Sequence, residues 1–133
     1  MKLSIIVCVL NEIKTIEKIL QKINDVELPN NIQKEIIVID NNSIDGTKEF
    51  LQKIQISEGL KVFFQKKNFG KGNSIIKGIE ESSGDLIVFQ DADLEYDPNN
   101  YDKLINHLIK NNLDAVFGSR VINDHIVFYK YNK

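Results

Sequence analysis

The 133-residue sequence lacks the features that define several broad classes of protein. It has one cysteine, Cys8, so it cannot form an internal disulfide, and we expect a reducing compartment such as the cytoplasm. Its net charge of −2 gives no overall attraction to nucleic acid, which we do not expect as a partner. The apolar run at residues 3–9 is too short for a signal peptide or a membrane span. We therefore expect a chain that is soluble or peripheral to a membrane.

The composition suits a single globular domain with a hydrophobic core, since 42% of the residues are hydrophobic and 27% are charged. Apolar runs predict five strands, and amphipathic stretches with helical spacing separate them. The predicted strands cover residues 3–9, 35–40, 61–65, 86–90 and a short segment at 115–118. Strands that alternate with helices favour right-handed crossovers, so we predict an α/β fold: a mainly parallel sheet with helices on both faces.

The order of the predicted sheet follows from the same pattern. We place strand 3–9 at the centre, between 35–40 and 86–90, because these runs are the most apolar and need cover on both faces. Loops that follow parallel strands meet at one edge, where open α/β sheets bind ligands. The polar loops expected at this edge lie at residues 11–12, 40–45, 70–72 and 91–95. Side chains distant in sequence are thus predicted to converge there.

The most informative of these loops is acidic. Asp91, Asp93 and Glu95 stand at alternate positions after the predicted strand 86–90, with no basic residue nearby in sequence. Hard cations such as Mg²⁺ or Mn²⁺ take oxygen ligands and often share carboxylates with a substrate phosphate, so the segment indicates a metal-diphosphate site. The alternative is a solvated acidic turn that leads into a helix, with Asp97 as N-cap and Pro98 as first helical residue. A lone acidic triplet is most often such a turn.

Several segments, taken in order, resemble the motifs of the family 2 glycosyltransferases with the GT-A fold. The resemblance is carried by VLNE at 9–12, EIIVIDNNSIDGT at 35–47, KNFGKG at 67–72, GD at 84–85, QDADLEYDP at 90–98 and GSR at 118–120. The acidic segment is most similar to that of the dolichyl or polyprenyl phosphate mannose and glucose synthases. The resemblance implies a Rossmann-like, three-layer nucleotide-sugar-binding domain over residues 1–121. Residues 122–133 are then a tail or the start of an acceptor-side segment.

The resemblance also implies a reaction. A sugar would pass, with inversion at the anomeric carbon, from a UDP- or GDP-linked donor to an acceptor such as a polyprenyl phosphate at the cytoplasmic face of a membrane. A divalent ion would stabilise the departing diphosphate as a Lewis acid.

The family's functional residues carry over to particular positions of this sequence. The nucleoside is implied to lie against Cys8, Leu10, Glu12, Ile39, Asp40 and Asn41. The implied diphosphate-binding residues are Asp91, Ala92, Asp93 and Arg120. The implied metal ligands are Asp91, Asp93 and Glu95, and the first two are the implied catalytic residues. Relatives often have Asp where Asn41 stands, so an amide would replace a carboxylate there.

Two other functional classes fit parts of the sequence. One is a non-catalytic or truncated fragment that binds a nucleotide sugar or metal and needs a missing half for turnover. The other is a receiver-like Mg²⁺ signalling domain, which also places acidic residues at strand ends. That domain would need an acidic pair at residues 11–12 and an aspartate after strand 61–65, where this chain has Asn11-Glu12 and Gln65-Lys66-Lys67. The receiver interpretation is therefore disfavoured.

Overall fold

Parallel strands alternate with α-helices along the part of the chain that the computed structural model describes, residues 1–54 and 59–118. The elements, in chain order, are β1 (Lys2–Val9), α1 (Ile16–Asp25), β2 (Gln33–Asp40), α2 (Thr47–Ile54), β3 (Leu60–Phe64), α3 (Lys71–Glu81), β4 (Leu86–Asp91) and α4 (Tyr101–Lys110). Short 3₁₀ turns at Pro29–Asn31 and Pro98–Asn100 precede β2 and α4. No helix within these residues is long and apolar enough to cross a membrane.

The sheet has the order β3-β2-β1-β4, and every neighbouring pair of strands is parallel. The predicted central position of the first strand, between the second and the fourth, is confirmed. β1 is apolar on both faces because both are covered. Leu3, Ile5, Val7 and Val9 join a core cluster with residues of α1, α2 and α4, whereas Ile6 lies under α3. The predicted α/β architecture, with helices on both faces of a parallel sheet, is therefore confirmed.

The predicted fifth strand is wrong. Residues 115–118 form no strand, and the sheet built by the described residues ends at β4. A strand needs a backbone partner, and none of the described strands pairs with this segment, whose Phe117 is 62% exposed. In β4, the edge strand of this sheet, Ile87 and Phe89 are also exposed. An apolar run of four residues therefore did not suffice to predict a strand.

Helix α3 packs closely on the sheet because it presents small residues to it. Its buried residues are Ser74 and Gly78, while the larger Ile76 and Ile79 are exposed. A Cβ atom added at Gly78 would lie within 3.0 Å of Ile6 Cγ2, a separation that real structures essentially never show. At Gly72, in the first turn of the same helix, the corresponding position has no atom within 4 Å apart from the chain neighbours and the backbone of the helix itself. The sheet therefore requires glycine at position 78 and not at position 72.

A buried polar network closes the edge of the sheet at which the strands begin. Ser4 of β1 donates to Glu35 of β2 at 2.6 Å, and Lys61 of β3 donates to the same carboxylate at 2.7 Å. The backbone N–H of Ser83, just before β4, donates to Glu35 at 2.9 Å. Burial alone would raise the pKa of Glu35, but the hydrogen bonds from Lys61, Ser4 and Ser83 outweigh it and hold that pKa at about 2. This carboxylate of β2 is thus bonded to β1, to β3 and to the segment that leads into β4.

We predict that Gly78→Ala lowers the free energy of unfolding by about 1–3 kcal/mol, because the new methyl group overpacks the contact with Ile6. Gly72→Ala is the matched control. It should leave stability unchanged or raise it by up to about 1 kcal/mol, because alanine favours the helix. Urea denaturation followed by circular dichroism measures both. Equal effects of the two substitutions would contradict the close approach of α3 to β1.

We further predict that Glu35 contributes stability that depends on pH. Its pKa of about 2 in the folded chain lies below the ordinary value of 4.5, so its contribution is complete above pH 4.5 and is lost as the pH falls towards 2. Glu35→Gln should therefore lower the free energy of unfolding at neutral pH by about 1–3 kcal/mol and flatten its fall in acid. Urea denaturation between pH 2 and pH 7 measures this.

The control is Glu81→Gln, which removes a partly exposed ion pair with Lys77 on the surface of α3. It should change stability little at any pH, because such pairs contribute weakly. A profile for Glu35→Gln that parallels the wild type through the acid range would show that Glu35 is not the titrating group.

Candidate functional site

A cleft with a volume of about 380 Å³ lies at the edge of the sheet where the strands end. This volume falls within the range of small-molecule sites. The lining residues that the sequence predicted for a nucleotide site are Cys8, Leu10, Glu12, Asn41, Asp91, Ala92 and Asp93. The other lining residues are Val9, Asn68, Gly70, Lys71 and Ser74. The structure thus brings together side chains from three strand ends and the start of α3.

The register of the sheet determines this convergence. Cys8 of β1 lies opposite Ile39 on one side and opposite Asp91 on the other. The N–H of Asn41 extends the ladder by donating to the Val9 carbonyl at 2.9 Å. β1, β2 and β4 consequently end at the same level, and the residues that follow them share one opening.

Asn41 uses its side-chain amide to hold the loop that precedes α3. Its Nδ2 donates to Asn68 Oδ1 at 2.7 Å, and its Oδ1 accepts from the N–H of Phe69 at 2.9 Å. Asn68 Oδ1 also accepts from the N–H of Gly70 at 2.9 Å. A carboxylate could not donate to Asn68, so asparagine at position 41 matches asparagine at position 68. These hydrogen bonds fix the backbone of the loop that leads directly into Lys71.

The loop after β1 is held by the loop after β2. The N–H of Asn11 donates to Ser43 at 2.9 Å, and the N–H of Glu12 donates to Thr47 at 2.9 Å. Asn11 Oδ1 in turn accepts from the N–H of Ile44 at 2.8 Å. Asn11 has a positive φ of 55°, a conformation that asparagine tolerates better than most residues. These contacts position Leu10 and Glu12 at the mouth of the cleft.

The buried side-chain amide of Gln90 holds the acidic turn after β4. Gln90 Nε2 donates to the carbonyls of Asp91 and Tyr96, both at 3.0 Å, so it joins the beginning and the end of the turn. The hydroxyl of Tyr101 in α4 donates to Gln90 Oε1 at 2.6 Å. Burial raises the pKa of Tyr101, which keeps the phenol protonated as a donor. The sequence did not identify Gln90 or Tyr101 as site residues, because Gln90 acts through backbone carbonyls and Tyr101 acts through Gln90.

The carboxylates of the turn differ in their partners. Asp91 Oδ1 lies 2.5 Å from Lys71 Nζ, and this hydrogen bond raises the pKa of Lys71. Asp93 is exposed, and its Oδ1 accepts from the N–H of Glu95 at 3.0 Å. Asp97 Oδ1 accepts from the N–H of Asn99 at 3.2 Å, so the turn does lead into a capped helical segment as the structural alternative predicted.

The structure does not bring every predicted site residue into the cleft. Ile39 and Asp40 are fully buried and absent from its lining: Asp40 accepts from the N–H of Ser43 at 3.2 Å. Glu95 does not line it either, and no group of three or more His, Cys, Asp or Glu side chains among residues 1–54 and 59–118 is arranged to hold a metal ion. Arg120 lies outside the described residues. Of the expected metal ligands, the cleft contains the pair Asp91 and Asp93.

Lys71 is the most consequential residue that the sequence did not assign to the site. The basic, glycine-rich loop was predicted at this edge of the sheet, but no role was derived for it. Of the described residues that line the cleft, Lys71 alone carries a positive charge, and it interacts with the negative charges of Asp91 and Asp93. The signal in the sequence was the lysine between two glycines at the start of a helix. Its partner Asp91 is 20 positions away, so only the fold reveals the pairing.

Comparison with known proteins identifies sequences and structures that are similar to this chain. The family model described as glycosyl transferase family 2 matches residues 4–132. The dolichol-phosphate mannosyltransferase of Pyrococcus furiosus is 35% identical over 122 residues, which cover 92% of this chain and 34% of that protein. This chain therefore spans about a third of the length of that relative.

Two solved structures share the fold. The mannosyltransferase PcManGT of Pyrobaculum calidifontis, in complex with GDP-Man and Mn²⁺, aligns with a TM-score of 0.72 and 23% identity, over 84% of this chain and 33% of its own. S. aureus TarS in complex with UDP-GlcNAc aligns with a TM-score of 0.72 and 24% identity, over 86% of this chain and 33% of its own. These similarities confirm the GT-A architecture expected from the sequence.

We predict that Cys8 reacts slowly with thiol reagents although it lines the cleft. Burial raises its pKa from 9.0 to about 11; the positive charge of Lys71 opposes this rise, and Asp91 adds to it. Because the thiolate is the reactive form, alkylation by iodoacetamide at pH 8 should be about a hundredfold slower than for an ordinary thiol. Mass spectrometry gives the rate without ambiguity, since the chain has one cysteine.

Glutathione controls for the reactivity of the reagent. The chain unfolded in guanidinium chloride controls for the sequence around Cys8. The logarithm of the rate in the folded chain should still rise linearly between pH 7 and pH 9. A folded chain that reacts as fast as the unfolded one would contradict the raised pKa of Cys8.

Proposed function

The chain belongs to glycosyl transferase family 2, and from this membership we propose that it supplies the donor-binding part of an enzyme that transfers a sugar from a nucleoside diphosphate sugar to an acceptor. The observation that carries the proposal is the cleft. It combines two carboxylates of a fixed acidic turn, Asp91 and Asp93, with the ammonium of Lys71. Charges of both signs at one opening suit a ligand that consists of a cation and a diphosphate.

Asp91 and Asp93 would hold the divalent cation, Mg²⁺ or Mn²⁺. Mg²⁺ in proteins is commonly bound by one or two carboxylates together with substrate phosphates, so this donor pair fits the ion without a third acidic ligand. When bound, the ion would stabilise the negative charge that develops on the departing diphosphate. The similar PcManGT structure contains Mn²⁺ with GDP-Man, which supports a divalent ion for this chain too. Glu95 and Arg120 remain sequence-based candidates for the ion and the donor phosphates.

The nucleoside would lie on the other side of the cleft. We place it against Cys8, Leu10, Glu12 and Asn41, which line the same cleft, and hydrogen bonds of the loops after β1 and β2 fix the positions of Glu12 and Asn41. The buried Ile39 and Asp40 would contribute by shaping the floor, because their side chains do not reach the opening. Since Asn41 already uses both ends of its amide, contacts with the base would fall mainly to Leu10 and Glu12. Both UDP and GDP are suitable probes.

The acceptor that we propose is a polyprenyl phosphate at the cytoplasmic face of a membrane. The P. furiosus relative carries dolichol phosphate in its name, and the acidic segment resembles that of such synthases. A phosphate acceptor is already anionic near neutral pH and needs no strong general base for an inverting attack on the anomeric carbon. Since this chain spans about a third of that relative, transfer is proposed for the whole enzyme and donor binding for this part.

The test is metal-dependent nucleotide binding by the wild-type chain and by Asp93→Asn. We expect UDP or GDP to bind in the presence of Mn²⁺, and the substitution to weaken that binding by about tenfold or more because a ligand charge is lost while the shape is kept. Without metal the two chains should bind nucleotide equally poorly. Isothermal titration calorimetry measures all four conditions.

Asp25→Asn is the matched control, because it makes the same chemical change in the last residue of α1, outside the cleft lining. It should behave as the wild type. Equal affinities for wild type and Asp93→Asn, with and without metal, would show that the acidic turn does not bind the ion. Its role would then be only to lead into the helical segment that Asp97 caps. Since transfer is proposed for the whole enzyme, this part should bind nucleotide without transferring sugar from a donor to a polyprenyl phosphate.

A further inference from the structure

The ion pair between Lys71 and Asp91 occupies the part of the cleft that the proposed cation would need. Lys71 Nζ lies 2.5 Å from Asp91 Oδ1, and the two side chains are 61% and 28% exposed. A divalent ion bound to the same carboxylate would sit roughly 2.0–2.6 Å from an oxygen. Two positive charges would then lie within about 5 Å of each other and repel. A divalent ion on the oxygen that Lys71 occupies would therefore compete with the lysine for Asp91.

The structure separates the parts of this pair that are fixed from the part that can move. The backbone before Lys71 is held by Asn41 through Asn68 and Phe69, and the carbonyl of Asp91 is held by Gln90. The lysine side chain itself is long and mostly exposed, and ion pairs of this kind are weak and readily exchanged. Displacement of Lys71 from Asp91 therefore requires a side-chain rotation and no rearrangement of the loops.

We propose that Lys71 is the resident counter-cation of Asp91, that a divalent ion displaces it, and that the released ammonium then binds the donor diphosphate. This proposal rests on the proposed function and adds a role for a residue outside the expected set. In the free protein, Lys71 offsets part of the repulsion between Asp91 and Asp93. When cation and nucleotide are bound, the ammonium of Lys71 can reach a phosphate, because the lysine side chain lines the cleft. Metal and nucleotide would consequently reinforce each other's binding.

The test compares Mn²⁺ binding with nucleotide binding in Lys71→Gln, which keeps a polar chain of similar shape and removes the charge. Mn²⁺ alone, followed by electron paramagnetic resonance of the free ion, should bind Lys71→Gln about threefold or more tightly than the wild type, because the competing cation is gone. UDP or GDP in the presence of Mn²⁺ should bind about tenfold more weakly, because the phosphate contact is lost. Lys71→Arg should recover most of the nucleotide affinity, since it restores the charge.

The matched control is Lys77→Gln on the same helix, whose ion pair with Glu81 lies outside the cleft lining. It should change neither measurement. Lys71→Met is a second neutral variant, and circular dichroism checks that each variant is folded. Opposite effects on metal and on nucleotide are the signature of competition, because a merely structural defect would weaken both.

The proposal is overturned if Lys71→Gln binds Mn²⁺ no more tightly than the wild type, or if neither chain binds Mn²⁺. A wild-type chain that binds Mn²⁺ but no nucleotide overturns the proposed function and the diphosphate role of Lys71. The Mn²⁺-only comparison still decides whether Lys71 and the ion compete. The two ideas therefore fail through different measurements.

Discussion

The structure depends on one constraint: β1 must be hydrogen-bonded along both edges and covered on both faces. Its parallel pairing with β2 and β4 sets Cys8 level with both Ile39 and Asp91, so the loops after three strands open at one place. Cover on the second face requires the close approach of α3, which glycine at position 78 permits. The same helix begins with Lys71. The packing of β1 thus determines where the single positive charge of the described cleft lining stands.

Polar groups are accommodated in opposite ways at the two ends of the strands. At the edge where the strands begin, Glu35 is buried and receives hydrogen bonds from Ser4, Lys61 and Ser83. At the other edge, Asp91 and Asp93 stand in an open cleft with partly exposed side chains. A fully satisfied network contributes stability and admits no ligand, whereas weakly paired, accessible charges can exchange partners. Stability and ligand binding are therefore assigned to opposite ends of the same strands.

Within the cleft, buried side-chain amides fix the backbone, and exposed charged side chains are available to bind a ligand. Asn41 holds the loop before α3, and Gln90, oriented by Tyr101, holds both ends of the acidic turn. Amide side chains suit this work because each can donate and accept at once and neither function changes with pH. Lys71, Asp91 and Asp93 then present their charges from a rigid support. Such preorganisation lowers the cost of binding a charged ligand, since few groups need to be ordered.

The sequence by itself determined the layer architecture, the central place of β1, the edge at which the polar loops meet and most of the cleft lining. It could do so because burial on both faces leaves a continuous apolar run, and parallel strands send their following loops to one side. The tertiary structure alone decided which polar groups pair. Lys71 meets Asp91 and Asn41 meets Asn68 across 20 and 27 positions of sequence, and the amide of Gln90 is turned towards the acidic turn by a tyrosine of the following helix. It also excluded a strand at 115–118, because pairing depends on an available neighbour and not on apolar composition alone. Periodicity records which face of an element is buried, whereas hydrogen bonds and ion pairs depend on distances that exist only after the strands are in register.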